Sequence, residues 1–112
     1  MSYDIDLRMD IDTGGPEPVS TCFADIGNYT SNVPGMWREA LGRSLGDLHG
    51  EIAGDCVDEL TRAVAAMEAD PAKYEAMNPA NGWGDHAGAL DYLRRLRDAC
   101  AAHPKTVIYI SR

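Results

Sequence analysis

Residues 3–12 alternate without a break: Tyr3, Ile5, Leu7, Met9 and Ile11 interleave with Asp4, Asp6, Arg8, Asp10 and Asp12. Successive side chains of an extended chain point to opposite faces, so this period of two predicts a strand with one buried and one wet face. The five apolar residues are the expected floor of a core. The carboxylates form a row on the open face, with Asp4 and Asp6, and Asp10 and Asp12, as close pairs. Two such pairs are a set that can hold Ca²⁺ or Mg²⁺. A metal site needs converging ligands from other segments. Without them the row is a solvated face whose like charges discourage edge pairing, and attraction of a basic partner is the alternative.

The rest of the chain fits around that strand. Thr13-Gly14-Gly15-Pro16 reads as a turn, and residues 18–26 as a second, hairpin-paired strand. Residues 27–32 read as a polar loop, with Ser31 or Asn32 capping a helix whose first turn holds Pro34. Met36, Trp37, Ala40, Leu41, Leu45 and Leu48 recur at helical spacing, while Gly42, Gly46 and Gly50 weaken that helix or break it near Gly50. A helix over 51–69 has Ile52, Cys56, Leu60, Ala63, Val64 and Met67 as its buried stripe. Asp70-Pro71 starts a short helix through Met77, and Asp85 caps a last helix over 86–103. Residues 106–111 are a closing strand that pairs with the first or the second. The expected fold is α+β: one domain over 1–112, a mainly antiparallel three-stranded sheet in ββ-helices-β order, and three to four helices on one face.

At 112 residues there is material for one modest core. A net charge of −8 argues against nucleic acid or an anionic membrane as partner. The charge is uneven: residues 1–30 hold six acids and one base, residues 94–112 one acid and five bases. No basic-plus-apolar leader and no run of about 18 apolar residues is present, which predicts no membrane association. Cys22, Cys56 and Cys100 are an odd, widely spaced set that suits reduced thiols in a cytoplasmic protein.

Three constellations merit weighing. Gly27-Asn28-Tyr29-Thr30-Ser31-Asn32 sits between a strand and a helix start, where free N–H groups can bind an anion; its ordinary role is a self-satisfied capping loop. Asn81-Gly82-Trp83-Gly84-Asp85-His86 also leads into a helix. Trp83 is either a cover for the core or a contact anchor, and His86 beside Asp85 has the chemistry of an acid or base. No nucleophile stands at a recognisable spacing from it. Cys100 and His103, with Cys56 and His49, are a weak zinc set, since both cysteines fall on apolar stripes. No cofactor motif is present, so no cofactor is expected.

The set formed by residues 27–32 with Met36-Trp37, by Asn78-Pro79-Ala80-Asn81-Gly82-Trp83-Gly84, by Cys100-x-x-His103-Pro104 and by the closing Ile-Tyr-Ile-Ser strand resembles small proteins of unknown function encoded by actinobacterial bacteriophages and related prophages. The resemblance spans residues 26–112. It implies an accessory phage protein of a bacterial cytoplasm and no particular activity. Two functions follow as expectations. One is a non-enzymatic binding module for a protein with a basic surface, or a homodimer, using exposed Tyr29, Trp37 and Trp83. The other is a phosphate or nucleotide binder, or small hydrolase, whose loops 27–32 and 81–86 meet. The candidate residues are Asn28, Tyr29, Thr30, Asn32, Trp37, Asn81, Trp83, Asp85 and His86.

Overall fold

The computed structural model describes residues 2–30, 34–82 and 84–111. The chain folds as an α+β domain. Strand β1 (Ser2–Ile11) is central in the sheet, flanked by β2 (Val19–Thr30) and β3 (Val107–Ser111), both antiparallel to it. The alternation in β1 does set its faces: Tyr3, Ile5 and Leu7 are buried. Met9 and Ile11 depart from the expectation and are more than a third exposed. The reason is length. β3 pairs with β1 only from Asp4 to Arg8, while the β1–β2 hairpin continues to Ile11 and Val19. Its tip overhangs the core.

Strand β2 runs four residues further than the sequence suggested. Gly27 has φ +80°, but that turn is absorbed in the ladder instead of ending it. Ile5 pairs with Gly27 and Asp6 with Asp25, leaving Ile26 as an extra residue; Leu7 pairs with Ala24 and Arg8 with Cys22, leaving Phe23 as another. These are β-bulges, which bend a strand and re-aim its side chains. Beyond the first, Asn28 and Tyr29 pair with Asp4 and Tyr3. The expected loop over 27–32 is therefore strand as far as Thr30, and Ser31 and Asn32, with the cap assigned to them, lie outside the described residues.

Helix α1 (Pro34–Leu41) stops at Gly42, whose φ of +83° an L side chain rarely adopts. The pattern through Leu48 is thus one helix and a separate 3₁₀ turn, Leu45–Leu48, and the break comes eight residues before Gly50. Met36, Trp37, Leu45 and Leu48 are nonetheless buried as their spacing predicts. The next helix also starts late. Ala53–Cys56 is a 3₁₀ turn and α2 spans Val57–Ala69. Its stripe of Leu60, Ala63, Val64 and Met67 is buried, but Ile52 is exposed because the chain there runs alongside β3. The Gly50 N–H donates to the Ile108 carbonyl (2.8 Å), Ile108 to Glu51 (2.9 Å) and Ala53 to Thr106 (2.8 Å).

Helix α3 (Pro71–Glu75) begins with Asp70 accepting from the Lys73 N–H at 3.3 Å. Helix α4 (His86–Ala102) begins with Asp85 accepting from the Gly88 N–H at 2.7 Å. Both caps are those expected. Ala89, Leu90, Leu93, Leu96 and Cys100 of α4 face the core, joined by Tyr92. The helices cover one face of the sheet and leave the other bare.

Candidate functional site

The two polar segments do meet, at one point. The Tyr29 hydroxyl, projecting from the end of β2, accepts from the Asp85 N–H at 3.1 Å and lies 3.4 Å from the Asp85 carbonyl. Asp85 and Asn78 side chains take the next N–H groups, Gly88 at 2.7 Å and His86 at 2.9 Å. Three donors that a phosphate would use at this helix start, the N–H groups of Asp85, His86 and Gly88, are thus bonded within the fold, and Tyr29 lies against Gly88. A Cβ on Gly88 would run into the Tyr29 ring and hydroxyl, so the approach depends on a glycine there.

The junction continues inward as an aromatic cluster. Tyr3 meets Trp37 edge-on at 5.2 Å, and Tyr29 stacks on Tyr92 at 5.8 Å, with Trp37 beside both tyrosines. Trp37 is fully buried and donates to the Ala89 carbonyl at 3.1 Å, so it holds α1 against α4 and is no exposed contact. His86 is buried too. Its Nε2 is 2.9 Å from the Met67 carbonyl and its ring stacks on Tyr74, which leaves the Asp85 carboxylate to the helix cap. Asn28 is exposed on the bare sheet face opposite Asp4. Asn81 is exposed in the loop before α4. Asn32 and Trp83 lie outside the described residues, and Thr30 ends β2.

The sheet's bare face and the hairpin tip form the larger surface. Asp4, Asp6, Arg8 and Asp10 of β1 share the bare face with Asn28, Asp25, Cys22 and Ser20 of β2 and with Ser111, Tyr109 and Val107 of β3. The one cation of this face among the described residues is engaged: Arg8 Nε lies 3.0 Å and 3.1 Å from the Asp6 oxygens, and its guanidinium lies over the Tyr109 ring. Beside it is an open depression of about 280 Å³ lined by Arg8, Met9, Asp10, Ser20, Val107 and Tyr109. On the other side of the hairpin, Met9, Ile11 and Val19 are exposed at 38, 37 and 51% in the overhang, and Phe23 at 43% at its base beside His103. Sequence reasoning missed this apolar tip. The available signal was the mismatch between a ten-residue first strand and a six-residue closing segment.

Among the described residues no group of three or more His, Cys, Asp or Glu side chains is arranged to hold a metal ion. Cys56 and Cys100 are buried, and burial pushes their thiols up to about 12 and about 11, which keeps them protonated and unreactive. Among the described residues no helix is long and apolar enough to cross a membrane. Comparison with protein-family models, with curated proteins and with solved structures gave no match.

Proposed function

We propose that the chain is a non-enzymatic binding module for a protein with a basic surface, and that the overhanging hairpin and the bare sheet face make the contact. The observation that carries this is the overhang. Three apolar side chains, Met9, Ile11 and Val19, stand exposed where the hairpin outruns β3, and Phe23 is exposed on the same side nearer the core, beside His103. Isolated exposed apolar residues are ordinary, but a grouped set rimmed by charge is what interaction sites present. The rim is acidic: Asp10, Asp12, Glu17 and Asp25 are all exposed. Such a field speeds the encounter with a cationic surface and repels an anionic one. The resemblance to phage-encoded proteins supports a host or phage protein of a bacterial cytoplasm as the partner.

The test is capture from bacterial lysate on immobilised chain, with Phe23→Lys as the comparison. Proteins retained at low salt and released by about 0.5 M salt, where screening acts within a few ångströms, are expected on the wild type and not on the variant. Equal retention by both chains would sink the reading.

A further inference from the structure

The two edges of the sheet are unlike. The outer edge of β3 is covered by residues 49–54, through the backbone bonds of Gly50, Glu51, Ala53 and Gly54 and through the Ile110 N–H, which donates to His49 Nδ1 at 2.9 Å. The outer edge of β2 receives no backbone bond from another segment among the described residues. Side chains occupy part of it. The Tyr92 hydroxyl and Arg95 Nη1 donate to the Gly27 and Ile26 carbonyls (2.8 Å each), and the Gly27 N–H donates to Asp25 Oδ1 (2.8 Å). At the other end, the Val19 carbonyl accepts from the Thr21 hydroxyl at 3.2 Å. Among the described residues no such bond reaches the backbone of residues 20–25, which span about one ordinary strand length and include the bulge at Phe23. Open edges are commonly defended by lysine, proline or a covering segment. β2 contains no lysine or proline, and Asp25 is its one charged residue. Its defence is confined to the bulges.

We propose that residues 20–25 take up an extended segment of the partner as a fourth strand, and that this segment alternates apolar with basic residues. The proposal rests on the protein-binding reading above and specifies the partner's form. Added strands gain affinity from the backbone ladder and specificity from alternate side chains. A residue set opposite Ser20 or Cys22 shares a face with Asp6, Arg8, Asp10 and Asp25; Arg8 is paired with Asp6, which leaves Asp10 and Asp25 to meet an incoming charge. A residue set opposite Thr21 shares the other face with Met9 and Ile11, beside Phe23, whose ring faces His103 of the helical layer at 6.5 Å. Basic side chains answer the first face and apolar ones the second. A second copy of this chain answers it poorly, because the same carboxylates would be brought together from both sides.

The probe is a capped peptide of alternating lysine and valine, with a glutamate–valine peptide as control. Binding is followed by anisotropy and by hydrogen exchange of the backbone amides. The lysine peptide is expected to slow exchange within residues 20–25 and to leave β3 unchanged. Asp25→Lys and Asp10→Lys are each expected to weaken it about tenfold; the second variant keeps the test intact if loss of the Asp25–Gly27 bond disturbs the first. Unchanged exchange in β2, or equal binding of both peptides, overturns the proposal. A sedimenting dimer whose β2 amides are protected without peptide overturns the choice of occupant. If lysate partners are still captured through the hairpin while β2 stays unprotected, this inference fails and the binding-module reading stands.

Discussion

Gly88 and Tyr29 decide how closely β2 approaches the start of α4. Alanine in place of a helical glycine ordinarily stabilises by about 1 kcal/mol. Here the added Cβ would meet the Tyr29 ring, so Gly88→Ala is expected to cost about 1–3 kcal/mol through overpacking. The urea midpoint measures it, and in a Tyr29→Ala background the same change should become stabilising. The thiols supply a second residue-scale expectation. Cys22 is exposed and the other two are buried, so a thiol reagent should label Cys22 in the native chain and the rest only after unfolding. Their raised values also fix an alkaline limit. Below about pH 8 the Cys56 and Cys100 thiols are neutral in both states and stability does not depend on them. Above it the unfolded chain ionises and the folded chain does not, until about 11 to 12, so stability falls as pH rises through that window. The Tyr92 hydroxyl, raised chiefly by burial, acts in the same direction at higher pH. Urea midpoints should therefore decline from about pH 8 to about pH 10; a flat profile contradicts the burial of these groups.

Among the elements, the irregular stretch between α1 and α2, bonded along β3 by its backbone, is tied to α2 by one arginine. Arg43 donates to both oxygens of Glu51 (2.6 and 3.0 Å) and to both of Glu59 (2.7 Å each). It spans the two 3₁₀ turns and ties them to α2. The groups are about a third exposed, so solvent screens the pairs and Arg43→Ala should cost only about 1 kcal/mol. Hydrogen exchange should rise selectively in residues 45–56. This stretch also shows why part of the fold could not be read from sequence. Local periodicity revealed the strand of alternating residues and the stripes of α2 and α4, because each is a repeat of one face. It could not tell a continuing helix from two short pieces at Gly42, nor a helix start at Glu51 from a segment laid along β3. Those outcomes depend on which neighbour supplies the hydrogen bonds. Gly27 misled for the same reason: a positive-φ glycine marks a turn, and a bulge is a turn that the ladder tolerates. Trp37 looked like a contact residue until three tyrosines from other elements closed around it.

For the whole molecule, the separation of charge and shape matters most. The body measures 53 × 27 × 18 Å. Net negative charge concentrates on the hairpin, where residues 1–30 hold six acids against one base, while three of the five bases of residues 94–112 (Arg94, Arg95 and Arg97) belong to α4. Two measurements together locate function away from stability. Phe23→Lys on the exposed side of the hairpin should change folding free energy by no more than about 0.5 kcal/mol, as a surface substitution does, yet abolish capture of a basic partner. Leu7→Ala, at a fully buried position on the same strand, should cost about 2–5 kcal/mol. A Phe23→Lys chain that unfolds would show that this side of the hairpin belongs to the core.

The unequal strands carry a consequence for how such a chain changes over time. Along the same two strands, one end answers to the core and the other to whatever lies outside. Substitutions in the last residues of β1 and the first of β2 escape the packing constraints that bind Tyr3, Ile5 and Leu7. The tip is thereby free to vary, one residue at a time, without renegotiating the fold that holds it out.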